Sequence, residues 1–160
     1  MQSIRVVAVG KIKEPYLRQG LAEYSKRLSG MCRLQIVELP DEKLPERLAP
    51  AERTRVKELE GWRLLQALPE GEYVIALDMA GQQFSSEQFA DKLAQLALYG
   101  QSSLSFVIGA SCGLSADVLR RADLRLSCGL MTYPHQLMRL ILLEQIYRAY
   151  KIIRNEPYHK

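Results

Sequence analysis

Leu104-Ser105-Phe106-Val107-Ile108-Gly109-Ala110-Ser111-Cys112-Gly113-Leu114-Ser115 decides the architecture. Its first five residues, apolar except for Ser105, read as a buried strand. Two glycines then punctuate a turn, and Ser115 caps a short helix over residues 116–122. Outward from it the same unit recurs. Ile4–Val9 is a β-branched run ending at Gly10, followed by a helix with Pro15 in its first turn and Leu17, Leu21, Tyr24 and Leu28 at helical spacing. Leu34–Leu39 is a second strand, and Tyr73–Leu77 a third, closed by an Asp78–Gly81 turn. Between them lies an exposed connection over 41–50 and a long polar helix over roughly 50–67. Ser85 and Gln88 form a capping box before a helix that ends at Gly100. Leu124–Leu126 is a short fifth strand. The last helix starts near Pro134 and reaches about Ile153, with Pro157 barring extension into the tail. About five strands alternating with helices make an α/β fold, a mostly parallel sheet flanked by helices. No linker or repeat divides residues 1–160, so one domain is expected.

Composition removes several classes. At 48% apolar and 25% charged residues, the chain is neither disordered nor coiled coil. Its apolar runs are far below the roughly 20 residues a membrane span needs. Arg5 stands where a signal peptide would need its apolar core, so a cytoplasmic protein with no membrane contact is expected. Cys32, Cys112 and Cys128 make no disulfide framework, and with only His135 and His159 no metal site is expected. The first forty residues carry seven Lys/Arg against three acids. Residues 41–100 carry seven against eleven, and residues 133–160 five against two. If the two basic ends meet in space, they make a modest face for a polyanion.

In open parallel sheets ligands bind beyond the carboxyl ends of the strands. Three such ends stand out: Leu77–Gly81, Ile108–Leu114 and Ser127–His135. Gly109-Ala110-Ser111-Cys112-Gly113 fits the nucleophile elbow of a small serine hydrolase by letters, with Asp117 or Asp123 and His135 in hydrolase order. No second glycine-rich oxyanion loop accompanies it. The other reading is a backbone cradle for a cofactor. The dinucleotide and P-loop fingerprints are absent. On the last helix, Arg139 and Arg148 are nine residues apart, so they point about 180° from one another and cannot serve one small site from one helix face.

Five ordered blocks, Val7–Lys11, Phe106–Gly109 with Gly113–Ser115, Met131–Arg139, Glu144–Ala149 and Glu156–His159, span the whole chain. Together they resemble the ribosomal RNA large-subunit methyltransferase H family, small pseudouridine N3-methyltransferases of the SPOUT superfamily. The resemblance implies a C-terminal trefoil knot, a homodimer, and S-adenosylmethionine held by Leu77, Gly109, Cys128, Gly129, Leu130, Met131, Thr132 and Tyr133. It also implies that the substrate is rRNA at the subunit interface of the assembled ribosome. The family usually has Gly-Gly where this chain has Gly109-Ala110, and alanine fits there without strain only at negative φ.

Methylation of an imide nitrogen requires loss of its proton, helped by a base or a stabilised anion. The candidates are His135, His159, Arg139 and Arg148. The arginines are expected to stabilise the developing anion, and either histidine to accept the proton. Tyr158 and His159 on the tail are expected to close over the base from the opposite subunit. A non-catalytic dimeric RNA-binding module is the remaining alternative.

Overall fold

A computed structural model describes all 160 residues. The chain runs β1 (Ser3–Val9), α1 (Pro15–Leu28), β2 (Arg33–Leu39), α2 (Pro50–Ala67), β3 (Tyr73–Gln83), α3 (Ser86–Leu98), β4 (Ser103–Ile108), α4 (Ala116–Arg121), β5 (Leu124–Ser127) and α5 (His135–Ile153). The five strands form one sheet in the order β2-β1-β4-β3-β5, and every pairing is parallel. The expected strand–helix alternation is therefore present in full.

Alternation along β1 explains the two layers. Ile4, Val6 and Ala8 face one side and pack with Leu104, Phe106 and the buried faces of α1, α3 and α5. Val7 and Val9 face the other side, with Val74 and Val107, beneath Leu64 of α2 and Val118 of α4. Successive strand side chains point to opposite faces, so a sheet covered on both sides must be apolar at consecutive positions. That is why Val6–Val9 and Phe106–Ile108 read as unbroken apolar runs. The Ser85/Gln88 capping box forms as expected, and both of its reciprocal hydrogen bonds are present.

One boundary differs from expectation. The Asp78–Gly81 turn lies inside β3, not after it. Leu77 pairs with Leu126, and after a bulge Gln82 pairs with the same residue. The intervening residues loop out, with the Ala80 N–H donating to Asp78 Oδ1 at 3.1 Å. Gly81 passes so near β5 that an added Cβ would stand 2.6 Å from the Arg125 carbonyl oxygen. The last helix ends at Ile153 as expected, but Pro157 is not what stops it. Asn155 takes φ 54°, and the Asn155 and Glu156 N–H groups donate back to the Ile152 and Lys151 carbonyls at 3.0 and 2.9 Å. This is a Schellman ending, with asparagine in the left-handed position that glycine usually fills.

On α2, Glu60 is only 3% exposed. Its Oε2 accepts the Glu42 N–H at 3.1 Å, while Oε1 has no partner. Burial pushes this carboxyl above its usual range, opposed by the Glu42 N–H and reinforced by Asp41. A raised carboxyl binds its proton more tightly in the folded state, so stability falls as pH rises from the unfolded value through the folded one. Glu60→Gln should therefore stabilise the chain at pH 7–8, by roughly 1 kcal/mol or ~3 °C in Tm. Near pH 4 the gain should vanish. Thermal denaturation at the two pH values checks this.

Candidate functional site

The carboxyl ends of β3, β4 and β5 lie on one rim, because β3 stands between β4 and β5. Their three loops converge on a cleft of about 360 Å³, within the range of small-ligand sites. Leu77, Gly109, Cys128 and Tyr133 line it, four of the eight expected cofactor residues. His135 lines it too, as does Lys57 from α2. Gly129 lines an adjoining cavity of about 350 Å³ that shares Cys128 and Tyr133 with the first. Leu130 and Met131 are 82% and 72% exposed, so in one protomer they face solvent. Thr132 ties this loop to the one after Leu77, its hydroxyl lying 3.7 Å from the Met79 sulfur.

The β4 loop is held tight by backbone alone. The Gly113 N–H donates to the Ala110 carbonyl at 2.9 Å. A Cβ on Gly109 would meet the Gly113 carbonyl carbon at 2.9 Å, so only glycine closes the loop. Ala110 is not among the positive-φ residues, so the alanine that departs from the family pattern sits there unstrained. Ser111 is exposed, lacks the positive φ of a strained elbow, and hydrogen-bonds to neither histidine. The serine hydrolase alternative lacks its base.

The catalytic candidates divide into three places. His135 opens α5 beside the cleft. Burial lowers its pKa, and the Arg139 charge lowers it further against the pull of Asp41. It is therefore a neutral imidazole at physiological pH, with a lone pair able to take a proton.

Arg139 is not where a substrate can reach it. Its side chain is 1% exposed. NH1 donates to Glu38 at 2.7 Å, and NH2 donates to the carbonyls of Val9 and Gly10. The helical spacing correctly separates it from Arg148, but its guanidinium clamps the end of β1. Its partners all belong to its own protomer.

Arg148 belongs to a third group, built on the tail. Its guanidinium donates to Glu144, stands 3.1 Å from His159 Nδ1, and lies 4.8 Å over the Tyr158 ring. His159 Nε2 is 2.6 Å from Glu87 at the start of α3. The Tyr158 hydroxyl donates to Glu144 at 3.0 Å, and its ring packs edge-on against Tyr147 at 4.8 Å. Burial and the Tyr24 and Glu144 contacts push the Tyr158 phenol well above its usual range, so it stays protonated. None of these tail residues lines the cleft of its own protomer.

The basic ends do meet. α1 packs along α5, Arg154 donates to the Gly30 carbonyl at 2.9 Å, and Arg27 lies 5.7 Å over the Tyr147 ring. Glu87, Glu144 and Lys57 escaped the sequence reading. Glu144 was findable, since it precedes Arg148 by four residues on one helix. Lys57 carries no local signal beyond its place one turn before Gly61.

Comparison with known proteins adds the family. A family model described as "Predicted SPOUT methyltransferase" matches residues 2–159. The chain belongs to the SPOUT methyltransferase family. Among relatives of this SPOUT methyltransferase, the "Ribosomal RNA large subunit methyltransferase H" of Carboxydothermus hydrogenoformans is 60% identical over 157 residues, covering 98% of this chain and 99% of the relative. The proteins of the same name in Bacillus cytotoxicus and Listeria monocytogenes are each 56% identical over 158 residues, at 99% of both chains. A "probable methylase family protein" from Haemophilus influenzae Rd KW20 shares the fold at TM-score 0.55 and 12% identity, over 99% of this chain and 71% of that one. Lpg2936 from Legionella pneumophila, solved "in complex with the bound cofactor SAM", matches at TM-score 0.50 and 11% identity, over 92% and 66%. No helix of this SPOUT methyltransferase is long and apolar enough to cross a membrane.

Proposed function

We propose that this SPOUT methyltransferase transfers the methyl group of S-adenosylmethionine to N3 of a pseudouridine in large-subunit ribosomal RNA, acting on the assembled ribosome. In this reading the enzyme is a homodimer and its C-terminal segment is threaded as a trefoil knot. One observation carries it: three strand ends make a single cleft in a chain 60% identical, end to end, to a large-subunit rRNA methyltransferase.

The residues present suit the donor. The cleft walls are largely apolar, its loops offer backbone groups, and Lys57 and Asp78 put two opposite charges on its lining. Leu77, Gly109 and Cys128 to Tyr133 would hold the cofactor. When bound, the sulfonium supplies an already activated methyl group. The chain must then place the accepting nitrogen in line, about 3–3.5 Å from the methyl carbon. His135, neutral beside the cleft, is suited to take the imide proton, and His159 is the second candidate. Arg148 supplies positive charge for the anion left on the base. Because Arg148, Tyr158 and His159 stand apart from their own cleft, a second protomer is needed to bring a tail to it. The shared face of α1 and α5, carrying Arg27, Lys151 and Arg154, offers phosphate contacts.

The test is methyl transfer to ribosomes lacking the modification, with the product mapped on the nucleoside. N3-methylpseudouridine in large-subunit rRNA is the expected product. Naked rRNA fragments should be at least tenfold poorer substrates, with turnover falling steeply as salt rises. Efficient turnover on a short hairpin would remove the assembled-ribosome part. Ribosome binding without methyl transfer would favour the non-catalytic module.

A further inference from the structure

We infer that Lys57 is the carboxylate anchor of the cleft, binding the α-carboxylate at the amino-acid end of the methyl donor. The inference rests on the donor reading above and adds a subsite to it.

The placement begins with a glycine. Gly61 of α2 packs against the start of α4 so closely that an added Cβ would stand 2.2 Å from Ser115 Oγ and 2.9 Å from Ser115 Cβ. With no side chain there, α2 drops onto the β4 loop. Lys57 lies four residues earlier, one turn back on the same helix face. Its Cε is 3.9 Å from where a Cβ of Gly113 would stand, so the lysine stem lies along the glycine loop. Lys57 lines the cleft and is half-buried, yet it has no carboxylate within ion-pair distance. Other cations of the chain, including Arg5, Arg63, Arg139, Arg148 and Lys151, are paired with acids.

Charge defines the ligand class. Apart from His135, held neutral by burial, the ionisable side chains of opposite charge on the lining are Lys57 and Asp78. They do not pair with each other. Asp78 Oδ1 is already turned to the Ala80 N–H. Of the remaining walls, Leu77, Ile108, Leu114, Leu119 and Leu126 are apolar, and Cys112, Cys128 and Tyr133 carry only neutral donors, so Lys57 is the cation the lining offers an anion. A half-buried ammonium over a largely apolar cleft favours a ligand with one carboxylate, in a charge-assisted hydrogen bond. A nucleoside joined to an amino acid carries that group at one end.

The experiment is calorimetric titration of the full-length protein and its Lys57→Met and Lys57→Arg variants. The ligands are S-adenosylmethionine and its decarboxylated analogue. Lys57→Met should weaken S-adenosylmethionine about tenfold, and Lys57→Arg should recover most of that loss. The decarboxylated analogue should bind both Lys57→Met and the unsubstituted protein with equal affinity. Thermal denaturation should be unchanged, since Lys57 has no partner to lose. If Lys57→Met weakens both ligands alike, or neither, the anchor is overturned. Retained donor affinity with a raised KM for ribosomes would overturn it too, and would turn the lysine toward RNA phosphate. If the unsubstituted protein binds neither ligand, the donor reading itself fails, a result distinct from all of these.

Discussion

Arg139→Met should cost this chain about 3 kcal/mol of stability, lowering Tm by roughly 10 °C. The arginine is buried and serves the Glu38 carboxylate and two carbonyls, those of Val9 and Gly10. Methionine fills much of the volume, but it leaves the carbonyls without donors, and an unpaired buried polar group costs about 1–3 kcal/mol. Lysine should rescue little, because a single ammonium cannot reproduce the planar fork. The loss should also depend on pH. Burial would raise the Glu38 carboxyl, but the Ile12 N–H and Arg139 outweigh it and hold it below its usual range. The stability linked to Glu38 is therefore present above the ordinary carboxylate range and disappears as pH falls through the lowered value. Thermal denaturation from pH 7 downward should show the gap between the two proteins narrowing in acid. A variant melting within two degrees of the unsubstituted protein at pH 7 would show that the clamp does not hold the end of β1.

Deleting Pro157–Lys160 should reduce methyl transfer by two or more orders of magnitude while changing donor affinity less than twofold. The tail carries Tyr158 and His159, and it holds Arg148 from the side opposite Glu144. None of its residues lines the cleft. Without the tail, the arginine keeps its Glu144 partner but loses the aromatic ring and imidazole that fix its direction. Arg148→Ala in the full-length chain should show the same division, on the scale of lost preorganised charge at a reacting centre, ~10²–10³-fold in kcat. The edge-on Tyr147–Tyr158 contact is worth about 1 kcal/mol, so the truncated chain should remain folded. Calorimetry with the donor, run beside methyl-transfer assays, separates the two effects. Equal loss of binding and turnover would refute a tail that serves catalysis alone.

The layered sheet was legible because it is written in local pattern. Runs such as Val6–Val9 and Phe106–Ile108 are apolar at consecutive positions only because both faces are covered. The three strand ends of the cleft were legible for a related reason, since parallel topology forces such ends onto one rim. The fate of Arg139 was not. Its partners lie 101, 129 and 130 residues away, and no local spacing announces a contact at that range. Nor does the pattern around Asp78–Gly81 say that pairing with β5 resumes beyond it, because that depends on Leu126 serving two registers. Lys57 was hidden in a polar helix, and only the tertiary approach of Gly61 to Ser115 gives it direction.

The place of β1 inside the sheet bears on how the chain is made. Its first neighbour, β2, follows soon after, but its second is β4, where Ser3 pairs with Ser103. A nascent chain thus emerges with its first strand half satisfied, and the open side waits about a hundred residues for its mate. Gln2 is fastened still later, by the Tyr150 hydroxyl near the carboxyl terminus. Closing such distant pairings is slow compared with local ones, so the centre of the sheet forms only after β4 is available.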